Sequence, residues 1–285
     1  MSGAEVAIEV HDLRKVYGEH TALQGIDVSV RCGEVFALLG PNGAGKTTTV
    51  EILEGYRQRS SGEVLVLGHD PARRAASLRQ RIGIVLQSSG IYSQITPREA
   101  LRHWAGFYPH PRDAEEVLSL VGLTDKADVR TRKLSGGQRR RLDFALALIG
   151  DPELIFLDEP TTGFDPEARR TAWETIRSLQ VLGKTILLTT HYLEEAQVLA
   201  DRVAIVKEGR ILAIGPPRDL GVGAAHYRVA YRDASGETVE RQTDDPTRLL
   251  HELTGEALAR GEQLQELSVA RPSLEDVYLE LTADA

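Results

Sequence analysis

The sequence predicts an α/β core followed by a small α+β domain at its C-terminal end. Three short, nearly continuous apolar runs, at residues 34–39, 154–157 and 185–188, are typical of parallel strands covered on both faces. Helical patterns over residues 47–55 and 166–183 lie between these runs. Alternation of strands with helices is typical of α/β folds.

The first thirty residues have the pattern of antiparallel strands. Apolar residues at positions 26, 28 and 30 alternate with polar residues at 27, 29 and 31, as expected where one face of a strand is buried and the other meets water. A further hairpin is predicted between residues 203–206 and 211–214, because Glu208 and Gly209 have the composition of a turn.

Residues from about 88 to 150 have helical patterns and no strong strand, so we predict a helical insertion between two core strands. The pattern changes again after Gly215-Pro-Pro217. The elements predicted beyond it are strands at 227–231 and 237–242, a helix at about 246–261, a strand at 264–269 and a helix opened by Ser273 with Asp276 three residues on. The sequence thus predicts one domain over residues 1–216 and a small α+β domain over residues 217–285.

Composition excludes several classes of protein. Hydrophobic residues make up 41% and charged residues 27% of the 285 residues, which allows a real core and argues against a disordered or coiled-coil chain. The formal net charge of −8 lacks the basic excess of nucleic-acid-binding domains. No apolar run approaches the ~20 residues that cross a bilayer, and the first ten residues lack the features of a secretory signal. Because Cys32 is the single cysteine, we expect no internal disulfide and a reducing, cytosolic environment.

A glycine-rich loop follows the first of the three apolar runs. Residues 40–47 match the pattern G-x-x-x-x-G-K-[ST], and a helical pattern comes next, which disfavours a simple glycine turn without a ligand. The glycines allow backbone N–H groups to surround an anion, and the helix adds its positive N-terminal dipole. We expect Lys46 to reach the β- and γ-phosphates of a nucleotide and the Thr47 hydroxyl to bind Mg²⁺. The predicted nucleotide-binding residues here are Gly40, Pro41, Asn42, Gly43, Ala44, Gly45, Lys46, Thr47 and Thr48.

Two adjacent carboxylates follow the apolar run at 154–157. Side chains at the C-terminal end of a parallel strand point into the crevice where open α/β sheets bind ligands. We expect Asp158 to hold Mg²⁺, directly or through water, and Glu159 to polarise the attacking water. The alternative is a charged turn after a buried strand. It is disfavoured because the acidic pair occurs together with the other motifs.

The segment Leu134-Ser-Gly-Gly-Gln138 opens an amphipathic helix twenty residues before Asp158. Ser135 is a good N-cap, and the two glycines after it expose N–H groups at a helix start, which makes a second anion site. That site lacks a lysine, which suggests that it serves the nucleotide of another subunit. In this segment the sequence resembles the ATP-binding cassette (ABC) ATPases, whose signature is LSGGQ. The arginines at 139–141 are interpreted as a solvated face.

The resemblance covers about residues 5–215. It implies a P-loop cassette with a mixed core sheet, an antiparallel β subdomain and a helical subdomain. It also implies that two cassettes pack head to tail and sandwich two ATP molecules between the phosphate loop of one and the signature of the other. The signature residues that would act on the partner's nucleotide are Ser135, Gly136, Gly137 and Gln138.

Four further residues match positions that have a role in this family. The resemblance implies that Tyr17 stacks on adenine, that Gln87 senses Mg²⁺ and links to the membrane partner, and that His191 contacts the γ-phosphate. Asp165 matches the loop that crosses the dimer interface, although Phe164 stands where the family usually has leucine. The implied catalytic residues are therefore Glu159, His191 and Lys46, and two copies of this chain could hydrolyse ATP at both sites.

Residues 271–282 resemble the C-terminal helix of cassettes that pair with ABC-2-type permeases, including antibiotic and multidrug exporters, although an ordinary packed amphipathic helix has the same pattern. The resemblance implies export of a drug or antibiotic-like compound through a permease on a separate chain, with this subunit peripheral on the cytoplasmic face of the membrane. Three alternatives remain: an importer or an exporter of lipid, glycan or ions; a non-transport cassette acting on ribosomes or DNA; and an ATP-binding module without turnover, which Glu159 disfavours.

Overall fold

The fold is described here from a computed structural model, in which residues 5–86, 90, 93–220, 227–233, 236–270 and 274–283 are described. The chain divides into two compact units, Met1–Ile214 and Gly215–Ala285. No helix within the described ranges is long and apolar enough to cross a membrane.

The first unit contains a six-stranded sheet with the order β5-β6-β7-β3-β8-β9. Its strands are β3 (Val35–Leu39), β5 (Ile82–Val85), β6 (Leu154–Asp158), β7 (Thr185–Thr190), β8 (Arg202–Lys207) and β9 (Arg210–Gly215). The pairs β5·β6, β6·β7, β7·β3 and β3·β8 are parallel. The three predicted core strands are all buried here, with one face packed in a cluster that includes Phe36, Phe156 and Leu187.

A second sheet of the first unit is antiparallel and has the order β2-β1-β4. Its strands are β1 (Val6–Tyr17), β2 (His20–Arg31) and β4 (Ser61–Val66). The predicted alternation holds in β2, where Ile26, Val28 and Val30 are buried. β4 was not predicted from the sequence, because only Val64 and Val66 of its six residues are buried.

The helices of the first unit are α1 (Lys46–Leu53), α2 (Ala76–Arg79), α3 (Pro97–Ala105), α4 (Ala114–Leu120), α5 (Gly136–Leu148), α6 (Pro166–Val181) and α7 (Leu193–Leu199). As predicted, the described residues between β5 and β6 form helices α3 to α5 and no strand. Local capping starts each of these helices: Thr96 and Ser135 form capping boxes, and Asp113 accepts two backbone hydrogen bonds.

The second unit is a small α+β domain. Strands β10 (Tyr227–Arg232), β11 (Thr238–Thr243) and β12 (Gln265–Ala270) form an antiparallel sheet with β10 in the centre, and the helices are α8 (Pro246–Ala259) and α9 (Leu274–Ala283). Val229 and Tyr231 pack against Leu253 of α8 in its core. Ser273, the predicted start of the last helix, lies outside the described residues.

Candidate nucleotide-binding site

Strand register brings three of the predicted motifs together at one edge of the large sheet. Leu39 pairs with Thr190, Asp158 with Thr189, and Val85 with Leu157. Because these strands are parallel, the segments that leave their C-terminal ends start side by side. These segments are the glycine-rich loop, the acidic pair Asp158 and Glu159, and His191. Gln87, which is predicted to follow β5, lies outside the described residues.

The glycine-rich loop is fixed by close packing at two of its glycines. Gly45 has a φ of 102°, and a Cβ there would lie 2.7 Å from Leu23 Cδ2, so only glycine fits between the loop and β2. A Cβ at Gly40 would lie 2.1 Å from the carbonyl oxygen of Val206 on β8. The loop is therefore held between the two sheets.

Lys46 is buried beneath this loop. Its Nζ donates hydrogen bonds to the carbonyl oxygens of Gly40 at 2.8 Å and Pro41 at 3.1 Å, and it lies 3.7 Å from Glu159 Oε1. Burial lowers the pKa of Lys46, and the carboxylates of Glu159 and Asp158 oppose that shift. The ammonium group is thus shielded from water and held between the loop carbonyls and Glu159.

Glu159 has a strained backbone. Its φ of 45° lies in the left-handed region that non-glycine residues rarely adopt. Three hydrogen bonds hold this turn: Glu159 N–H donates to Thr189 Oγ1 at 3.0 Å, the Thr189 hydroxyl donates to Asp158 Oδ1 at 2.6 Å, and the Thr162 hydroxyl donates to Glu159 Oε2 at 3.0 Å. Thr189 of β7 thus holds the Asp158 carboxylate and the Glu159 backbone, while Thr162 holds the Glu159 carboxylate.

His191 also lies close to Glu159. Its Nδ1 is 3.3 Å from Glu159 Oε1, which is close enough for an ion pair if the imidazole is protonated. The alignment gives no hydrogen bond, however, and Nδ1 is buried without a hydrogen-bond partner. The same oxygen of Glu159 therefore lies close to both the Lys46 ammonium group and a ring nitrogen with unused hydrogen-bonding capacity.

Oxygen donors suited to a hard cation stand at this edge of the sheet. The Thr47 side chain is exposed at the start of α1, and Asp158 is half-buried at the end of β6. Hydroxyl and carboxylate oxygens are the ligands that Mg²⁺ prefers, together with phosphate oxygens and water. Thr47 and Asp158 thus fit the predicted magnesium site. Of the rest of the predicted loop, Pro41, Asn42 and Gly43 are exposed, Ala44 is buried and Thr48 is half-buried.

Tyr17, the predicted adenine-stacking residue, ends β1 with a partly exposed ring. Lys15 Nζ lies 4.8 Å and Arg57 Cζ lies 5.3 Å from the ring centroid. Arg57 is also ion-paired with Glu51 of α1. Two cations therefore flank the ring on which a base would stack.

The signature segment caps α5 in the way its sequence predicts. Ser135 Oγ accepts from the Gln138 N–H at 3.2 Å, and Gln138 Oε1 accepts from the Ser135 N–H at 3.0 Å. No atom lies within 4 Å of where a Cβ would stand on Gly136 or Gly137, so the backbone there is open.

The signature segment and Asp165 line a single cleft of about 550 Å³. Asp165 caps α6, accepting from the Ala168 N–H at 2.9 Å, and Phe164 lines the same cleft. None of the residues that line it belongs to the loop at 40–47. Within the described part of one chain, the two candidate anion sites are therefore separate.

The interpretation of residues 139–141 as a solvated face is wrong for Arg140, which is 7% exposed. Its guanidinium donates to the carbonyl oxygens of Leu86 and of Pro160, the latter at 3.2 Å, and lies 3.7 Å from Asp143 Oδ2. One turn along α5, Phe144 packs under it, with Arg140 Cζ 5.8 Å from the ring centroid. The helical period places Arg140 on the face of Phe144, and that spacing was the signal available in the sequence.

Sequence reasoning also missed two residues that form hydrogen bonds in and next to the acidic pair. Glu195 is 1% exposed, and its Oε1 accepts from the Thr161 hydroxyl at 2.8 Å and from Trp173 Nε1 at 3.1 Å. Thr189 binds both acidic residues, as described above. These contacts join residues more than twenty positions apart, so no local sequence pattern predicts them.

The chain is similar to many known proteins. The family model described as ABC transporter matches residues 23–162. Nod factor export ATP-binding protein I of Sinorhizobium fredii is 40% identical over 99% of this chain and 87% of that protein. A daunorubicin resistance ATP-binding protein of Streptomyces coeruleorubidus is 39% identical over 99% of this chain and 97% of that protein.

Among solved structures, the chain is similar to an ATP-binding cassette in a dimeric, post-hydrolysis state bound to ADP and Pi. The TM-score is 0.64 and the identity 25%, over 73% of this chain and 98% of that one.

Proposed function

This chain belongs to the ABC transporter family as an ATP-hydrolysing subunit. We propose that each of the residues at the sheet edge has a separate role in hydrolysis. The glycine-rich loop and Lys46 bind the β- and γ-phosphates, and Tyr17 stacks on the adenine. The observation that carries this proposal is the convergence on Glu159 of Lys46 at 3.7 Å and His191 at 3.3 Å. A carboxylate so placed can orient water beside a phosphate held by the lysine.

In the proposed reaction, Glu159 accepts a hydrogen bond from the attacking water. The water oxygen bonds to the γ-phosphorus in line and passes one proton to the Glu159 carboxylate. The bond from phosphorus to the β–γ bridging oxygen breaks, and ADP leaves with the electron pair. His191 Nδ1, which has no hydrogen-bond partner among the described residues, donates a hydrogen bond to an oxygen of the γ-phosphate. The strained turn at Glu159 holds the carboxylate toward the attacking water as negative charge shifts to the leaving ADP.

Thr47 and Asp158 would hold Mg²⁺, with Gln87 as a third candidate from outside the described residues. The ion would neutralise charge on the phosphate oxygens when it is bound.

A second copy of the chain completes each site in this proposal. The signature residues have an open backbone at a helix N-terminus, yet the cleft that they line contains no residue of the phosphate loop. In a head-to-tail dimer, the signature segment 135–138 of the second copy would contact the ATP that residues 40–48 of the first copy hold. Asp165 would lie at the interface between the copies. ATP binding would thus close the dimer, and hydrolysis would open it.

The membrane partner is proposed to be an ABC-2-type permease on a separate chain. The pattern of residues 271–282 resembles cassettes of that class, and the two relatives named above are called an export and a drug-resistance ATP-binding protein. Both align with nearly the whole chain, including the second unit. We propose export of a drug or antibiotic-like compound, with this subunit peripheral on the cytoplasmic face of the membrane and the helical insertion contacting the permease.

The test is recovery of the partner. The tagged chain would be purified under mild detergent from membranes of its own cells, and the proteins recovered with it would be sequenced and quantified. A polytopic protein in a fixed ratio to the chain is expected. Recovery from the soluble fraction, alone or with ribosomes, would be compatible with ATPase activity but would refute a role in transport.

A further inference from the structure

Arg57 lies where the segment that follows α1 meets the ring of Tyr17. The helix ends at Leu53, and the N–H of Arg57 donates to the carbonyl oxygen of Glu51 at 3.0 Å, so the segment stays bound to the last turn. The guanidinium of Arg57 forms an ion pair with the Glu51 carboxylate. Its Cζ lies 5.3 Å from the centroid of the Tyr17 ring. Arg57 therefore connects α1 to that ring.

The two cations near the Tyr17 ring differ in how they are held. Lys15 Nζ, 4.8 Å from the ring centroid, forms no ion pair and no hydrogen bond with any described residue. Arg57 is fixed twice by Glu51, at its backbone N–H and at its guanidinium. A side chain held at both ends has little rotamer freedom left, so it can restrain the ring that it contacts, whereas the Lys15 side chain is free to move away.

The backbone beside this contact is also connected. The N–H of Val16 donates to Ser60 Oγ at 3.0 Å, and the N–H of Ser60 donates to the carbonyl oxygen of Arg14 at 2.8 Å. The segment after α1 therefore runs along the end of β1, of which Tyr17 is the last residue. Tyr17 is still 37% exposed, so part of its surface is open to a ligand.

The helix to which Arg57 is tied begins at the phosphate loop. Lys46 is the first residue of α1, and Glu51 lies five positions later on the same helix. Through Glu51 and Arg57, the Tyr17 ring is thus held by the element that starts with the phosphate-binding lysine. The base and the phosphates of a nucleotide are one molecule, and a preformed site binds such a molecule more tightly because fewer side chains lose their freedom on binding.

We propose that Arg57 is a positioning residue for nucleotide binding, and that with Glu51 it holds the Tyr17 ring in place for stacking on the base. The proposal rests on the stacking role proposed for Tyr17 and names the residues on which that role depends. In this role Arg57 lowers the KM for ATP and leaves kcat unchanged, because the hydrolytic step takes place at Glu159. The expected effect on affinity is about 2- to 10-fold, the cost of ordering one side chain on binding.

The test compares a nucleotide with a ligand that has the phosphates but no base. Dissociation constants of the non-hydrolysable analogue AMP-PNP and of inorganic tripolyphosphate, both with Mg²⁺, would be measured by calorimetry, and kcat and KM for ATP by steady-state kinetics. Arg57→Met should bind AMP-PNP about 2- to 10-fold more weakly, with wild-type kcat and wild-type affinity for tripolyphosphate. Arg57→Lys should recover part of the loss, because it keeps a cation that can pair with Glu51.

Arg14→Met is the matched control. Arg14 is an exposed arginine on β1 that pairs with Asp12, so this variant also removes one positive charge and one ion pair close to Tyr17 in the sequence. It should bind both ligands with wild-type affinity. Equal losses of AMP-PNP and tripolyphosphate binding in Arg57→Met, or a loss of kcat, would overturn the proposal, because they would show a defect of α1 that does not depend on the base.

Tyr17→Ala separates this proposal from the stacking role on which it rests. If Tyr17→Ala weakens only AMP-PNP binding while Arg57→Met binds both ligands like the wild type, the positioning role of Arg57 is refuted and the stacking role stands. If Tyr17→Ala changes neither affinity, the stacking role itself is refuted. Glu51→Gln should reproduce the loss of Arg57→Met, and the double variant should bind AMP-PNP no more weakly than Arg57→Met alone; additive losses would contradict a shared mechanism.

Discussion

Glu54→Gln tests how burial affects a carboxyl group in the isolated protein. Glu54 caps the C-terminal end of α1 and is 8% exposed. In the folded chain, burial and the neighbouring Asp158 and Glu51 raise the pKa of Glu54 from an ordinary 4.5 to about 8. An acid with a raised folded pKa binds its proton more tightly when folded than when unfolded. Its contribution to stability is therefore full below pH 4.5 and is lost as the pH rises through 8. A glutamine in the same place loses nothing over that range.

The size of the effect follows from the pKa difference. At about 1.36 kcal/mol per pH unit, the full loss is about 5 kcal/mol, of which about 3 kcal/mol or slightly more falls between pH 5 and pH 8. Since about 1 kcal/mol shifts the melting temperature by 2–4 °C in a domain of 150–250 residues, the variant should gain about 6–12 °C over the wild type across this interval. Melting curves of both proteins, taken at half-unit pH steps, measure this gain.

The difference between variant and wild type removes the effect of every other titrating group. Glu174→Gln is the control, because Glu174 is exposed on α6 and the variant should follow the wild type at all pH values. A constant difference between Glu54→Gln and the wild type from pH 5 to pH 8 would refute the raised pKa. A difference that shrinks as the pH rises would show that the carboxylate is stabilised, which is the opposite of what burial implies.

Three further predictions concern the catalytic edge and α5. Glu159→Gln should retain ATP binding, lower turnover by at least ~100-fold and leave a stable ATP-bound dimer in size-exclusion chromatography; unchanged turnover would remove Glu159 from its role. Ser135→Arg should block ATP-dependent dimer formation while the monomer still binds ATP, and wild-type ATPase activity would count against the site shared between copies. Arg140→Met should lower the free energy of unfolding by about 3 kcal/mol in denaturant titrations, because two carbonyl oxygens and Asp143 lose their partner, whereas Arg139→Met should leave it unchanged; equal effects would contradict the burial of Arg140.

Most of the fold could be predicted because its signals are local. The buried runs that became β3, β6 and β7 are contiguous in the sequence, and the turn at Glu208 and Gly209 joins β8 directly to β9. β4 was missed for the opposite reason. Ser61 and Glu63 are exposed, and the strand exists because Val64 and Val66 pair with Val10 and Ile8 of β1, more than fifty residues earlier.

The same distinction explains what the sequence could say about the candidate site. Among the described residues, the glycine-rich loop, Asp158 and His191 lie at strand ends and the signature lies at a helix start, as predicted. These placements could be predicted because a loop such as 40–47 carries its own glycines and its own helix. The approach of Lys46 to Glu159 spans 113 positions and depends on β3 and β6 being two strands apart in the sheet order. That order is set by packing of the whole core, so distances within the site could not be read from the motifs.

Arg140 shows why a local pattern can mislead at a functional helix. Three arginines in a row suggest solvent, yet α5 turns about 100° per residue, so one of any three consecutive side chains can face inward. Inside, the guanidinium joins the carbonyl of Leu86, just before Gln87, to that of Pro160, just after Glu159. A lysine could not make the same two bonds from one planar group, and an apolar residue would leave both carbonyls unpaired. Since Arg140 also lies five residues after Ser135, which caps the same helix, this one side chain connects the helix of the signature to Leu86 and to Pro160.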